Sequence, residues 1–423
     1  MSLNDTPRAN RLHIGIFGKR NSGKSSLINA LTGQDIALVS EMPGTTTDPV
    51  LKSMELHPIG PVVFIDTAGF DDEGRLGKLR VERTESVIDK TDVAIMVVDG
   101  TSMERALEPE GCLVEELSKE KQWLEALRKK KVPVILAVNK WGEAGGSRLP
   151  SELLTTLHGI LGDLTMIAVS AKTGAGLDQL RSAIQQEVPE DFLREQILGD
   201  MIQPDGLALL VMPQDIQAPK GRLILPQVQT LRELLDRKCT AVATTADGLE
   251  KALNALNKAP DLIITDSQCF DLVYRKKPEE SRLTSFSVLF AAYKGDISAF
   301  TEGASVLDDM TEKSRVLIAE ACTHVPLSED IGREKIPNLL HKKFGDGLEI
   351  VNVCGNDFPK EEQLKEFDLV IHCGACMFNR KHVLNRIEAA RQAGVPITNY
   401  GVVLAKLAGI LDKIQLPADR TDR

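Results

Sequence analysis

An apolar run, Leu12 to Phe17, opens directly into Gly18-Lys19-Arg20-Asn21-Ser22-Gly23-Lys24-Ser25, and few backbone arrangements satisfy that junction. The spacing is G-x-x-x-x-G-K-S, which needs a strand, a glycine-rich turn and a helix N-terminus in that order. Amides of the turn and of the helix cradle phosphate, Lys24 reaches the β- and γ-phosphates, and the Ser25 hydroxyl faces Mg²⁺. A plain strand-to-helix turn does not require that lysine and serine at fixed offsets. Ser26 to Leu31 continues as the helix.

Beyond this junction the chain alternates short apolar runs with longer amphipathic segments. Val62–Ile65, Val93–Val98, Val132–Val138 and Met166–Val169 have the length of buried strands, the pattern of a doubly wound parallel sheet. Val188-Pro189-Glu190-Asp191 breaks it and marks a boundary. A smaller α/β segment follows, with strands at Leu207–Met212, Thr240–Thr244 and Asp261–Thr265 and helices at Leu225–Lys238 and Leu249–Leu256. The charged stretch Arg275–Arg282 reads as a linker. After it, a helix at Ser285–Tyr293 precedes strands at Val316–Ala319, Leu348–Val353, Leu369–His372 and Pro396–Thr398. The expected division is therefore 1–188, 189–275 and 276–423, all α/β.

A length of 423 residues suits two to four domains. With 51 Lys and Arg against 61 Asp and Glu, the formal charge is −10, the wrong sign for coating nucleic acid or an anionic membrane. Stacking platforms are scarce as well, since there are only 12 Phe, 3 Tyr and 2 Trp. No apolar run approaches the roughly 20 residues of a membrane helix, and Met1–Asn10 has no signal-peptide core, so a cytoplasmic location is expected. Seven cysteines are too few for a disulfide scaffold. Four of them, Cys322, Cys354, Cys373 and Cys376, fall in the last quarter of the chain.

Further polar elements follow the strands of the first segment in a telling order. Thr45, Thr46 and Thr47 offer a switch hydroxyl to Mg²⁺; Asp66-Thr67-Ala68-Gly69 places a carboxylate to hold Mg²⁺ through water and an amide, Gly69, to sense the γ-phosphate. Asn139-Lys140 ends a later strand where a base-reading loop belongs, and Ser170-Ala171-Lys172 ends the next. Together these elements resemble the TrmE–Era–Der branch of GTPases over residues 11–188. That resemblance implies GTP and GDP as ligands, with Lys24, Asn21, Asp66 and Gly69 as the catalytic set and Asn21 holding K⁺. Two departures stand out. The guanine motif Asn-Lys-x-Asp has Gly142 at its last position, with Glu143 adjacent as an alternative acceptor. Phe70 stands where a water-orienting glutamine often sits, which implies slow hydrolysis.

Cys373-Gly374-Ala375-Cys376 follows one strand, and Cys322 and Cys354 each follow another. In an open parallel sheet, sites form outside the carboxyl ends of strands, so topology places all four on one edge. A single CxxC also suits a thiol redox pair or half of a zinc site, and these readings carry two alternatives: a thiol redox enzyme, and a ribosome- or RNA-associated GTPase with a zinc-stabilised C-terminal domain. Cys112, Cys239 and Cys269 read as buried, inert residues, and Cys354 too reads more readily as inert than as a ligand. Cys322-Thr323-His324 followed by His372-Cys373-Gly374-Ala375-Cys376 resembles the CxH…HCxxC signature of the HydF family of [FeFe]-hydrogenase maturation GTPases. The resemblance covers the whole chain and implies a P-loop GTPase domain, a small dimerisation domain and a cluster domain in which Cys322, Cys373 and Cys376 bind a [4Fe–4S] cluster. His324, Glu329 and His372 are the candidates for its fourth position. It further implies a homodimer that takes a di-iron precursor from radical-SAM maturases and delivers it to apo-[FeFe]-hydrogenase.

Overall fold

A computed structural model describes residues 8–33, 50–69, 84–141, 148–193, 196–213, 223–321, 331–355, 357–375 and 377–418. The chain separates into two compact units, 1–194 and 195–423.

In the first unit the apolar runs become β1 (Leu12–Phe17), β3 (Gly60–Asp66), β4 (Val93–Asp99), β5 (Val134–Asn139) and β6 (Thr165–Val169). A sixth strand, β2 (Val50–Leu56), completes the sheet in the order β2-β3-β1-β4-β5-β6, parallel except for β2, which runs antiparallel to β3. The central strands β1 and β5 are buried on both faces, which is why they read as unbroken hydrophobic runs. Successive residues then feed two different cores. Phe17, Met96 and Val138 pack toward the helices Ser118–Lys129 and Ser151–Leu161, while Ile16, Ile95 and Ala137 pack toward the helices Lys24–Thr32 and Leu177–Gln186. Each such fully buried Phe, Met, Ile or Val side chain contributes about 1.5–3 kcal/mol. The edge strand β2 has Val50 and Leu51 exposed and polar residues interleaved, and its sequence carries no strand-length apolar run.

The second unit holds two parallel four-stranded sheets. One comprises β7 (Leu207–Val211), β8 (Thr240–Thr244), β9 (Leu262–Thr265) and β10 (Arg282–Ser285), ordered β10-β9-β7-β8. The other comprises β11 (Arg315–Glu320), β12 (Glu349–Cys354), β13 (Leu369–His372) and β14 (Ile397–Asn399), ordered β12-β11-β13-β14. The stretch expected as a linker, Arg275–Arg282, is instead a connection inside the first of these sheets: it leaves the helix Phe270–Lys276 and enters β10, which pairs with β9. Its charges read as a linker because they sit on the surface of a tight turn. Both sheets share one core, with Leu209, Val211 and Ile263 in the same apolar cluster as Leu317, Ala319 and Val370. The chain also returns, since the Gln415 N–H donates to the Leu283 carbonyl of β10 at 2.8 Å.

In the second of these sheets the connections leave β11 toward β12 on one side and then cross to β13 on the other. That reversal opens a crevice at the carboxyl ends of β11 and β13. Ala321 and Cys373 occupy those two ends.

Candidate functional sites

The octapeptide after β1 forms a loop whose glycines are set by close approach. Gly23 has φ +91°, and a Cβ there would lie 2.2 Å from Asn139 Nδ2; Gly18 has φ +153°, with the Val97 carbonyl 2.3 Å from such a Cβ. Lys24 is buried, and its ammonium donates to the carbonyls of Gly18 at 2.9 Å and Lys19 at 2.7 Å. The loop therefore already supports the cation that would move onto phosphate. Ser22 Oγ donates to the Lys19 carbonyl at 3.0 Å. Lys19 itself is anchored by Glu116 at 3.0 Å and Glu120 at 3.3 Å.

Ser25 and Asp66, far apart in sequence, meet where β1 and β3 end. Ser25 Oγ donates to Asp66 Oδ2 at 2.6 Å, while the buried Asp66 Oδ1 accepts no hydrogen bond among the described residues. Burial pushes the Asp66 carboxyl above its ordinary range, and the Ser25 bond and nearby Lys24 only partly counter this. An under-satisfied buried carboxylate oxygen beside a hydroxyl fits a divalent cation, with Ser25 and Asp66 as its protein side. Gly69 is buried and ends the described stretch after β3.

The base side is built on Asn139, 1% exposed, which bridges two loops: Nδ2 donates to the Ser22 carbonyl at 2.9 Å and Oδ1 accepts from Ala171 N–H at 3.1 Å. Lys140, at φ +62°, donates to the Asn21 carbonyl at 2.7 Å and pairs with Asp99 at 2.6 Å. Burial opposes ionisation of Asp99, but the Lys140 and Thr101 hydrogen bonds outweigh it and hold the carboxyl below its ordinary range. Ser26, Ser170, Ala171 and Lys172 join Gly23, Asn139 and Lys140 around an open cleft of about 640 Å³. Asp99 escaped the sequence reading; its only local signal is an acid at the end of a buried strand, where it also caps the helix Gly100–Ala106 through Thr101 N–H at 2.9 Å. Thr45, Thr46, Thr47, Phe70, Gly142 and Glu143 lie outside the described residues.

In the second unit, Cys373 is buried, and its sulfur accepts N–H bonds from Ala321 at 3.0 Å and Ala375 at 3.4 Å. Two amide donors are thus aimed at one buried sulfur, hydrogen bonds of the kind that orient a metal-ligating thiolate. Ala375 holds φ +52°, which turns the loop back over the strand end. Cys354 closes β12, half-buried, in register with Glu320, one row from the Cys373 loop. Cys322, His324, Glu329 and Cys376 lie outside the described residues, among which no group of three or more His, Cys, Asp or Glu is placed to hold a metal.

His372 is fully buried, and both ring nitrogens are engaged: Nδ1 with the Cys373 carbonyl at 2.8 Å and Nε2 with Arg386 Nη1 at 3.0 Å. Burial and the facing guanidinium lower its pKa to about 3, so the ring is neutral. As placed, neither nitrogen is open to a metal. Arg386 had no sequence signal, being one arginine on an otherwise ordinary helix, Arg380–Ala393.

Known proteins resemble the two units differently. Residues 13–140 match a family model described as a 50S ribosome-binding GTPase. Residues 197–295 match the hydrogen maturase F dimerization domain, and residues 298–416 the hydrogen maturase F tetramerization domain. The tRNA modification GTPase MnmE of Hamiltonella defensa subsp. Acyrthosiphon pisum (strain 5AT) is 35% identical over 177 residues, 41% of this chain and 35% of that protein. The GTPase Der of Wolinella succinogenes is 34% identical over 190 residues, 43% of this chain and 37% of that protein. The chain spans little more than a third of the length of these two relatives. Among the described residues, no helix is long and apolar enough to cross a membrane.

Proposed function

The chain belongs to the hydrogen maturase F family, and from that membership we propose that it is a GTP-hydrolysing scaffold and carrier for the di-iron subcluster of [FeFe]-hydrogenase. The observation that carries the reading is the coexistence, in one chain, of a P-loop cleft and a doubly amide-bonded Cys373 at a sheet's switch point.

In the first unit, Lys24 exchanges its loop carbonyls for the β- and γ-phosphates of GTP, and Ser25 and Asp66 hold Mg²⁺. Asn139 locks the P-loop to the base-binding loop, and Asn21 contributes to a K⁺ site that supplies part of the charge stabilisation Phe70 cannot. In the second unit, Cys322, Cys373 and Cys376 would hold a [4Fe–4S] cluster, which when bound supplies an iron with one displaceable position. Because His372 is engaged at both nitrogens, His324 and Glu329 are the candidates left for that position. Residues 197–295 bring two copies together as a homodimer. Radical-SAM maturases and apo-[FeFe]-hydrogenase are the exchanging partners, and the GTPase gates that exchange through its switch loops.

The experiment is anaerobic purification and loading with iron and sulfide, followed by GTP turnover and activation of apo-hydrogenase. A brown iron protein with slow turnover, faster in potassium than in sodium at equal ionic strength, supports the reading. A colourless zinc protein or a metal-free dithiol overturns it, and equal rates in the two salts remove Asn21 from the mechanism.

A further inference from the structure

The helix Arg380–Ala393 is fixed at both ends: Asn379 caps it by accepting from His382 N–H at 3.3 Å, and Gly394 closes it at φ +72°. It presents Arg386, 4% exposed, to the carboxyl edge of the sheet that carries Cys373. The guanidinium lies over two aromatic rings, 4.7 Å from Phe358 and 4.6 Å from Phe378. Its Nη2 donates to the Gly355 carbonyl and its Nη1 to His372 Nε2 at 3.0 Å. One side chain thus ties the ends of β12 and β13 together.

A guanidinium keeps its protons, so the Arg386–His372 contact has a single polarity. Nε2 accepts; the ring hydrogen must then sit on Nδ1, which donates to the Cys373 carbonyl at 2.8 Å. Asn399 Nδ2 donates to the same carbonyl at 3.1 Å, and Cys373 N–H donates to Ala319 at 2.9 Å. With the two amides on its sulfur, every polar atom of Cys373 is held.

We propose that Arg386 is a positioning residue for the iron-binding thiolate: through His372 it fixes the peptide of Cys373, and its permanent positive charge, two hydrogen bonds from that peptide, raises the cluster's reduction potential. The inference rests on the cluster reading above and extends it to a residue outside the cysteine motif.

Two measurements on the full chain test it. In the metal-free protein, ¹⁵N spectroscopy of the histidine rings should find His372 as the neutral Nδ1–H tautomer; an Nε2–H ring overturns the relay without reference to any cluster. In the protein loaded with iron and sulfide, a redox titration followed by electron paramagnetic resonance compares Arg386→Gln and Arg386→Lys with the parent. Arg386→Gln should shift the oxidised-to-reduced ratio at a fixed potential about tenfold toward oxidised, equivalent to 59 mV more negative for one electron. Arg386→Lys, which keeps the charge, should recover most of the shift. Full iron content with an unchanged potential in Arg386→Gln overturns the proposal. So does a nitrogen coupling to the cluster that vanishes in His372→Gln, since it would make His372 a direct ligand. A parent protein that takes up no iron removes the cluster reading instead, and the tautomer then decides the relay alone.

Discussion

The P-loop site and the cysteine site are both built at the carboxyl ends of parallel strands, yet they are specified in opposite ways. The first is one contiguous octapeptide: Lys24 is held by carbonyls five and six residues back, and Gly18 and Gly23 make room for Val97 and Asn139 of the neighbouring strands. The second is local only at the Ala375 amide. Cys373 reaches its other sulfur donor, Ala321, because β11 and β13 are neighbours, and it is steadied by His372, Arg386 and Asn399 from three different elements. A contiguous motif carries its phosphate donors in its own sequence; a site made by topology inherits the stability of the whole sheet.

The largest expected effects are those that keep the two sites apart. Lys24→Ala should lower GTP turnover by about 10²–10³-fold, the scale for losing one transition-state cation contact, while iron content stays unchanged. Cys373→Ser should do the reverse, abolishing the cluster signal with turnover within a few-fold of the parent. Loss of both functions in either variant, in protein that remains folded by circular dichroism, would sink the separation.

Gly23→Ala tests how the P-loop is seated against β5. The added methyl meets Asn139 Nδ2 at 2.2 Å in a left-handed backbone, so the Asn139 bond to Ser22 must break. Strain and a lost buried hydrogen bond together amount to about 2–4 kcal/mol, read as a lower thermal midpoint and loss of nucleotide affinity. Retention of the parent affinity would show that this loop is not held as described.

Base selectivity is expected to be the weaker half of the nucleotide site, because Gly142 stands where the guanine motif carries a carboxylate. Competition of GTP against ATP should still favour GTP, but by less than the roughly 1–3 kcal/mol of a dry bidentate acceptor. Equal affinities would reduce the site to a general nucleotide pocket. The smallest effect is on acid stability. Asp99 lies below its ordinary pKa when folded, so between that depressed value and about 4 the unfolded chain binds more protons. The contribution is therefore complete above pH 4 and lost as pH falls through the folded value. Urea midpoints between pH 5 and pH 2.5 should show Asp99→Asn flattening this segment by under about 1 kcal/mol, and identical slopes would remove the Lys140 clamp from the account.

Legibility followed the same divide. The strands β1, β4, β5, β7, β11 and β13 stood out because burial on both faces forces unbroken apolar runs, and the octapeptide because phosphate leaves little freedom in residue type. The strand β2 did not, since an exposed antiparallel edge needs only alternate apolar residues. Nor did β10, four residues behind a run of surface charges. Asn139 and Ser25 were found through spacing, but their partners Ala171 and Asp66 become partners only when strands pair. Arg386 was invisible, because nothing in a helix sequence marks which arginine will be buried beneath two phenylalanines.

The hydrogen bond from Gln415 to Leu283 has a consequence for how the second unit comes apart. The strand that receives the returning tail, β10, precedes the whole of the β11–β14 sheet in the chain, so that sheet is spliced into a circuit that begins and ends on its neighbour. Closing so long a circuit costs little more entropy than closing a short one, because the penalty grows only with the logarithm of its length. Opening it, however, releases the tail, the shared core and the β10 edge in one event. The second unit should accordingly melt as a single cooperative transition, and a perturbation confined to the cysteine sheet should slow hydrogen exchange at β10 no less than at β11 when it stabilises, and hasten both together when it does not.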